Sequence, residues 1–310
     1  MITIIEKMTA TQFIAAINSN FKGLRSVTTL STATEDNYLA VINSNNAAIN
    51  AITPFTYTVL TVGDGAGLIA NINNNFSALE QKYMFDKGKV IFTFDDGYAS
   101  WYTIGFPLLT RMGIICSLCI TTGNIGTAGY LSWAEILEMY NAGIDILDHS
   151  ATHPDLRTMT ALQIQTELQT ASDAFVANGI PAPQDFVIPS GATNSFVNGE
   201  IAKYRRSSRG AIGSYCADFK PIFKNQSKYV IQSSYFDSVS SLGNLQLEYM
   251  KGAIDFCKTH KTALIFYGHK IGATYASITT MLSDLNTIVL YAHTSGVDII
   301  SYKQLVDLMG

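Results

Sequence analysis

Two adjacent aspartates, Asp95 and Asp96, directly follow the apolar segment KVIFTF (89–94). A segment this rich in β-branched and aromatic residues is typical of a buried strand. Two carboxylates at the end of such a strand repel each other unless a positive charge lies close by. A bound cation would neutralise one carboxylate and let its neighbour stay ionised, so the pair indicates a metal site.

Three of the five histidines in the chain also lie at or just after the ends of apolar segments. His149 ends IDILDH, His153 follows four residues later, and His269 ends TALIFYGH. One aspartate and two histidines form a ligand set that suits Zn²⁺ or a similar divalent ion. We therefore predict that Asp96, His149 and His153 bind a metal ion and that Asp95 is the general base acting on an activated water.

Each of these motifs has an ordinary alternative. A pair of aspartates after a strand is commonly a solvated turn or a helix cap, and a His-x-x-x-His pair is more often one face of a surface helix. The prediction therefore depends on the motifs occurring together at matching strand ends. His260 and His293 stand on predicted helices away from such ends, and we assign them to packing or to the surface.

Strands that alternate with helices must position these side chains. This alternation begins at about Lys87 and predicts parallel β-α units. The predicted strands are 89–94, 114–121, 144–149, 185–191, 262–269 and a last one from 297; the predicted helices are 102–113, 131–143, 160–179, 245–260, 275–296 and a closing helix. Ser132 and Thr160 are predicted N-caps, and Gly143 is a predicted helix stop. A series this long predicts an α/β fold of the barrel type, whose active site lies at the carboxyl ends of the strands.

The first 85 residues are rich in Asn, Ala, Thr and Ser and contain three similar segments. These are FIAAINSNFKGL (13–24), YLAVINSNNAAI (38–49) and LIANINNNFSAL (68–79), and their apolar spacing predicts a short amphipathic helix in each. Short helices bury little surface alone, so we predict that residues 1–85 form a small helical N-terminal domain for attachment or assembly, including homo-oligomer formation. The alternative is a helical extension without a partner. The region resembles helical modules at the front of phage structural proteins, which would make a phage particle the partner.

Composition excludes several classes of partner. A net charge of −4 with 14% charged residues gives no basic patch, so we expect no nucleic-acid binding. No segment approaches the roughly 18 uninterrupted apolar residues of a membrane span, and the N-terminus lacks the pattern of a signal peptide. We therefore predict a soluble protein, extracellular only by a route other than a signal peptide, such as a virion. Cys116 and Cys119 lie on a predicted strand with opposite orientations, so we interpret them, with Cys216 and Cys257, as buried free thiols.

Two motifs of the chain are TFDDG (93–97) and HSATHP (149–154). With them, the chain from residue 87 to the C-terminus resembles the polysaccharide deacetylases, the family-four carbohydrate esterases. TFDDG is identical to the first motif of that family, and HSATHP fits the second, H-[ST]-x-x-H-P. FVIPSGATN (186–194) resembles the short form of the third motif, F-x-Y-P-Y-G-x-x-N, and IFYGHKI (265–271) resembles the last. The resemblance implies a distorted (β/α)-barrel of the polysaccharide deacetylase type, which we place at residues 86–310 as the catalytic domain.

The resemblance also implies a reaction, the metal-dependent hydrolysis of an acetyl group. The three predicted metal ligands keep that role, with Zn²⁺ expected and Co, Ni or Mn as alternatives. Asp95 takes the proton of a water, and His269 protonates the departing amine. A backbone amide of the turn formed by Pro189, Ser190 and Gly191 helps to stabilise the oxyanion.

The sequence departs from the family pattern in the third motif. The longer form of that motif has an arginine that tunes the base, but Val187 stands at the aligned position. Arg205, Arg206 and Arg209 are the candidates to replace it, and we take Arg209 as the tuning residue. Ser190 replaces the usual tyrosine, which removes an aromatic wall from the substrate cleft.

The fourth family motif, with an aspartate and a tryptophan, is not evident in the sequence. YCADF (215–219) offers Asp218 as the residue that orients His269 and Phe219 as the side chain beside the substrate. Metal binding is therefore expected to be intact, whereas substrate choice is open.

We predict a metal-dependent carbohydrate deacetylase, a hydrolase of carbon–nitrogen bonds in linear amides that releases acetate from an N-acetylated glycan. Bacterial capsule, peptidoglycan and chitin-like oligosaccharides are the substrate classes considered. One alternative is an O-acetyl esterase acting on acetylated polysaccharide, because an ester is attacked more easily than an amide. The other is a catalytically silent glycan-binding structural protein.

Overall fold

A computed structural model describes residues 80–210, 219–238, 242, 244–274 and 276–310, which are built around a strongly curled sheet of parallel strands. The chain divides into two units, Met1–Lys82 and Tyr83–Gly310, and the second contains the sheet. The three helical repeats predicted over 13–79, and with them the helical N-terminal domain, lie outside the described residues.

The sheet has eight strands in the order β5-β4-β3-β2-β1-β7-β6, and β10 pairs with the first residues of β1. Its strands are β1 (Lys89–Phe94), β2 (Ser117–Ile120), β3 (Asp145–Asp148), β4 (Asp185–Val187), β5 (Ser207–Arg209), β6 (Ser234–Tyr235), β7 (Ala263–Gly268) and β10 (Asp298–Ile299). All strand pairs in it are parallel. The resulting half-barrel confirms the predicted distorted (β/α)-barrel.

Helices pack against the sheet, the last of them beside Ile91 on its inner face. They are α1 (Phe106–Arg111), α2 (Trp133–Asn141), α3 (Ala161–Ala177), α4 (Ser195–Ile201), α5 (Asn244–His260), α6 (Leu282–Ser295) and α7 (Tyr302–Leu308). The predicted N-caps Ser132 and Thr160 each form a capping box, with Glu135 and Gln163, which satisfies the free N–H groups of α2 and α3. Gly143 has a φ of 95°, as expected of a residue that ends a helix.

The prediction of one helix over 275–296 is wrong in its first part. Thr279–Met281 forms a short strand, β9, which pairs with β8 (Lys270–Gly272), and α6 begins only at Leu282. Ile278, Thr279 and Thr280 are β-branched, and such residues favour an extended backbone over a helical one. The apolar spacing of the segment did not distinguish the two.

The two faces of β1 enter different parts of the core. Val90, Phe92 and Phe94 pack in the cluster beneath the helices, whereas Ile91 belongs to the cluster on the other face of the sheet. Because side chains alternate along a strand, Asp95 continues on the face of Ile91, inside the curl of the barrel.

Cys116 and Cys119 also belong to these two different clusters, and both are free and buried. This confirms the prediction that these two cysteines are buried free thiols. Cys257 is likewise a buried free thiol, while Cys216 lies outside the described residues.

Within the described part of the chain, no helix combines the length and the apolar character needed to cross a bilayer.

Candidate active site

The predicted site residues meet at the carboxyl ends of the strands. Asp95 and Asp96 follow β1, His149 follows β3, and His269 follows β7. β1 lies between β2 and β7 in the sheet, so its two aspartates lie between the histidines that follow β3 on one side and His269 on the other. The parallel sheet therefore brings together residues that are far apart in the sequence.

Asp96, His149 and His153 form a cluster that could hold a metal ion, with ligand atoms all within 4.8 Å of one another. The Asp96 Oδ1 atom lies 3.5 Å from Nε2 of His149 and 3.6 Å from Nε2 of His153. The two imidazole rings are nearly perpendicular, at 80°, with centroids 4.8 Å apart. One hard oxygen and two borderline nitrogens converging on one point fit the donor set of a zinc-type site.

The surroundings of the two imidazoles favour metal binding. Nδ1 of His149 lies 2.8 Å from the carbonyl oxygen of Val187, so this nitrogen carries the proton and Nε2 presents its lone pair to the cluster. Burial, followed by the proximity of His149, lowers the pKa of His153. Burial by itself would raise the pKa of Asp96, but the contact with His149 outweighs it and the pKa is lowered. A neutral imidazole and an ionised carboxylate are the forms that bind metals.

The backbone around the cluster is strained. Among the described residues, seven that are not glycine have a positive φ, and four of these lie at the site: Asp96 (74°), Ser150 (66°), His153 (58°) and Ser190 (55°). A left-handed backbone at a residue with a side chain costs about 1–3 kcal/mol and tends to occur where function requires it. The strain is thus concentrated where the candidate metal ligands are placed.

Asp95 is tied to Arg209, at the end of β5. The terminal nitrogen Nη2 of Arg209 lies 2.5 Å from both carboxylate oxygens of Asp95, and both side chains are buried. Burial alone would raise the pKa of Asp95, but the Arg209 guanidinium, with smaller contributions from His149 and His269, lowers it to about 2. Asp95 is therefore a carboxylate throughout the neutral range.

Arg209 is itself held from two further sides. Its Nη1 donates to the Ser233 hydroxyl at 2.8 Å, and its guanidinium lies over the ring of Tyr267, 5.0 Å from the centroid. The other two arginine candidates are used elsewhere, since Arg205 pairs with Asp148 and Arg206 pairs with Asp185. The structure thus places Arg209 against the candidate base.

His269 is paired with an aspartate that the sequence did not identify. Nδ1 of His269 lies 2.5 Å from Oδ2 of Asp237, which follows β6. The Oδ1 atom of Asp237 accepts hydrogen bonds from the His269 backbone N–H, at 2.9 Å, and from the Thr280 hydroxyl, at 2.8 Å. Burial alone would lower the pKa of His269, but Asp237 and then Asp95 outweigh it, so the pKa is raised.

The predicted partner of His269, Asp218, lies outside the described residues, whereas Phe219 packs edge-on against Phe256. The sequence gives only a weak indication of Asp237, because the strand before it, β6, has two residues and is preceded by a polar residue, Ser233. An aspartate after so short a strand resembles an ordinary turn.

A 3₁₀ turn follows β4 and consists of Pro189, Ser190 and Gly191. It lies near the candidate metal cluster, because the last residue of β4, Val187, contacts His149 through its carbonyl oxygen. Proline has no N–H group, and the N–H of Gly191 donates to the Ile188 carbonyl at 2.9 Å. This leaves Ser190 as the candidate amide donor of the turn.

Tyr98 and Tyr130 are neighbours of the cluster that the sequence analysis did not single out. Their rings stack with centroids 4.8 Å apart. Burial, and then contacts with Tyr130 and Asp96, raise the pKa of Tyr98. The tyrosine pair therefore supplies an aromatic surface close to Asp96.

Comparison with known proteins gives a matching family. Residues 82–205 match the family model described as Polysaccharide deacetylase. A segment of 86 residues is 31% identical to YxkH of Bacillus subtilis (strain 168), whose name assigns it to the polysaccharide deacetylases. That segment is 28% of this chain and 31% of YxkH, so this chain spans about a third of the length of that relative.

Solved structures share the fold at low identity. The Xyl-CE4 domain of a multidomain xylanase from the hindgut metagenome of Trinervitermes trinervoides is 18% identical, with a TM-score of 0.52 over 72% of this chain and 91% of that one. The chitin deacetylase from the fungal pathogen Colletotrichum lindemuthianum is 14% identical, with a TM-score of 0.53 over 72% and 89%. Residues 82–205 are thus similar to the polysaccharide deacetylases, and the Tyr83–Gly310 unit shares the fold of these two solved structures.

Proposed function

We propose that the Tyr83–Gly310 unit is a metal-dependent deacetylase that releases acetate from an N-acetylated glycan. The observation that carries this proposal is one constellation: three convergent side chains suited to bind a metal, a buried carboxylate, Asp95, and a histidine–aspartate pair, His269 and Asp237. Hydrolysis of an acetyl group needs an activated water, a proton acceptor and a proton donor, and this arrangement has a candidate for each.

Asp96, His149 and His153 would hold the divalent ion. When bound, such an ion polarises a carbonyl oxygen and lowers the pKa of a coordinated water to about 7. The choice of these residues rests on their donor atoms, which lie within 4.8 Å of one another, and on the Val187 carbonyl that fixes the tautomer of His149.

Asp95 would accept the proton of the attacking water. Arg209 holds both of its carboxylate oxygens, so the group is fixed in place and stays ionised. A pKa of about 2 makes Asp95 a weak base, so it would hold the proton only briefly before passing it on. The proton would pass to His269 after that residue has given its own proton to the leaving nitrogen.

His269 would donate a proton to the leaving nitrogen. The raised pKa of His269 keeps it protonated to higher pH, and Asp237 fixes its orientation through Nδ1, leaving Nε2 for the substrate. The Ser190 amide would donate to the oxyanion that develops on the acetyl oxygen.

An assay on two substrates tests this function. Purified protein would be given an N-acetylated oligosaccharide and, separately, an O-acetylated one, and released acetate would be measured. We expect release from the N-acetylated sugar, and loss of release by a factor of about 10²–10⁴ in Asp95→Asn, which keeps the shape but removes the base. Release from the O-acetylated sugar alone would indicate an esterase, and binding without release from either would indicate a silent glycan-binding protein.

For residues 1–85, we keep the hypothesis of an attachment or assembly module, including a phage particle as partner. Its support is the three-fold repeat in the sequence. Comparison of the oligomeric state of the full chain with that of a chain beginning at Tyr83 tests it. A full chain that is monomeric and is found on no particle would exclude the hypothesis.

A further inference from the structure

The segment between the two candidate histidine ligands has no regular secondary structure, yet all four backbone N–H groups of residues 150–153 donate to side-chain oxygens. The N–H of Ser150 donates to Asp148, and the N–H of His153 donates to the Ser150 hydroxyl. These two bonds join residues no more than three positions apart in the sequence. The remaining two reach a residue far along the chain.

That residue is Glu167, in the middle of α3. Its Oε2 atom accepts from the N–H of Ala151 at 3.0 Å and from the N–H of Thr152 at 2.9 Å, and its Oε1 atom accepts from the Thr152 hydroxyl at 2.8 Å. One half-buried carboxylate thus takes three hydrogen bonds from the two residues directly before His153.

The opposite side of the segment is also fixed. The N–H groups of Thr122 and Gly123 donate to the carbonyls of Ser150 and Ala151, at 3.2 and 2.8 Å. A Cβ on Gly123 would lie 2.6 Å from the Ala151 carbonyl oxygen, so only glycine permits this approach. The segment is therefore held from two sides, by the backbone of Thr122 and Gly123 and by α3. Glu167 is the charged side chain that makes the contact from α3.

Without these contacts, the left-handed backbone of Ser150 and His153 would relax, because such a conformation is unfavourable for residues with side chains. Relaxation at residue 153 moves the imidazole of His153 relative to Asp96 and His149. We propose that Glu167 is a positioning residue for the metal site, which holds His153 in ligand geometry through the backbone of Ala151 and Thr152. This inference rests on the proposed metal-dependent function.

Metal binding tests the proposal without any assay of activity. Zn²⁺ affinity would be measured on the full chain by competition with a chromogenic chelator, and the visible spectrum of the Co²⁺-substituted protein would report the ligand geometry. Four variants are compared with the wild type: Glu167→Ala, Glu167→Asp, Glu167→Gln and, as the matched control, Asp173→Ala. Asp173 is an exposed acid on the same helix that pairs with Gln169.

We expect Glu167→Ala and Glu167→Asp to weaken Zn²⁺ binding by about 10–100-fold and to change the Co²⁺ spectrum, because neither side chain reaches both N–H groups. Glu167→Gln keeps an oxygen in the same place and should restore affinity to within a few-fold. Asp173→Ala should match the wild type. The aspartate variant retains the charge and serves as the test if the alanine variant fails to fold.

Wild-type affinity and spectrum in Glu167→Asp would overturn the proposal while leaving the metal-dependent function in place. A wild-type chain that binds no Zn²⁺ would instead overturn the proposed function, and the role of Glu167 with it. Thermal unfolding of the metal-free proteins separates the proposed role from a general loss of stability, since a purely structural role would lower the melting temperature without moving the Co²⁺ spectrum.

Discussion

The two sides of the candidate site differ in how the chain builds them. The metal side comes from two short sequence motifs: Asp96 follows β1, and both histidines lie within five residues after β3. The proton-transfer side uses single residues from four places, Arg209, Asp237, His269 and Thr280, which meet only in the folded sheet. A side built from local motifs can be recognised in the sequence, whereas a side built from dispersed partners requires the topology.

The largest effect should come from breaking the metal side. His149→Ala removes a buried candidate ligand whose Nδ1 also contacts the Val187 carbonyl, so we expect loss of bound metal and a fall in acetate release of at least about 10³-fold. Elemental analysis and the acetate assay would be run together. The matched control is His293→Ala on α6, whose metal content and activity should equal those of the wild type; metal retained in His149→Ala would contradict the assignment of the ligands.

The next largest effect should come from removing the cation beside Asp95. Arg209→Met leaves a buried carboxylate without its partner, so we expect the free energy of unfolding to fall by about 3–5 kcal/mol at neutral pH. In the wild type the pKa of Asp95 is lowered from 3.8 to about 2, so the stability that this shift contributes is present above pH 3.8 and is lost as the pH falls through about 2. In the variant, burial without the arginine raises the pKa of Asp95, so the difference in the free energy of unfolding should begin to narrow above pH 3.8 and continue to narrow down to about pH 2.

Chemical denaturation at several pH values measures this difference. Arg157→Met, which breaks an exposed pair with Asp155, is the control and should change the free energy of unfolding little at any pH. A gap between wild type and Arg209→Met that does not depend on pH would mean that packing of the arginine, rather than its charge, stabilises the fold.

A smaller and more specific effect is expected from Asp237→Asn. The aspartate raises the pKa of His269, so its neutralisation should lower that pKa and move the high-pH limb of the kcat profile to lower pH. At neutral pH kcat should fall by about 10–100-fold because less His269 is protonated. Asp284→Asn, which removes the charge of an acid that pairs with Ser238, is the control and should leave the limb in place. An unshifted limb in Asp237→Asn would exclude His269 as the group that titrates there.

The smallest effect is expected from Gly268→Ala, directly before His269. An added Cβ would lie 2.5 Å from the Thr280 hydroxyl oxygen and 3.0 Å from Oδ1 of Asp237, so the hydrogen bond between them must lengthen. We expect a several-fold loss of kcat with unchanged metal content. Gly252→Ala in α5 meets no atom within 4 Å and should instead stabilise the helix by about 0.5–1 kcal/mol. Full kcat in Gly268→Ala would show that the Thr280 contact is dispensable.

The contrast between the two sides also marks what could be predicted from the sequence. The alternation of strands and helices, the caps Ser132 and Thr160 and the cluster of Asp96, His149 and His153 followed from local patterns. These features depend on residues that lie close together in the sequence or on strand ends that a parallel sheet aligns.

The parts that could not be predicted depend on distant partners. Arg209 is the tuning residue chosen from three arginine candidates, but only the register of β5 explains why it, rather than Arg205 or Arg206, lies against Asp95. Asp237 was missed because β6 is two residues long, and the residue proposed in its place, Asp218, lies outside the described residues. Short polar strands carry little periodic signal, so their contribution becomes visible only in the folded sheet.

Dependence of acetate release on the metal is the most direct test of the central claim. Release from an N-acetylated oligosaccharide would be followed before chelation, after removal of bound metal, and after addition of one equivalent of Zn²⁺, with metal content measured at each stage. We expect release to disappear with the metal and to return with it. Undiminished release by protein shown to be free of metal would contradict the role assigned to Asp96, His149 and His153.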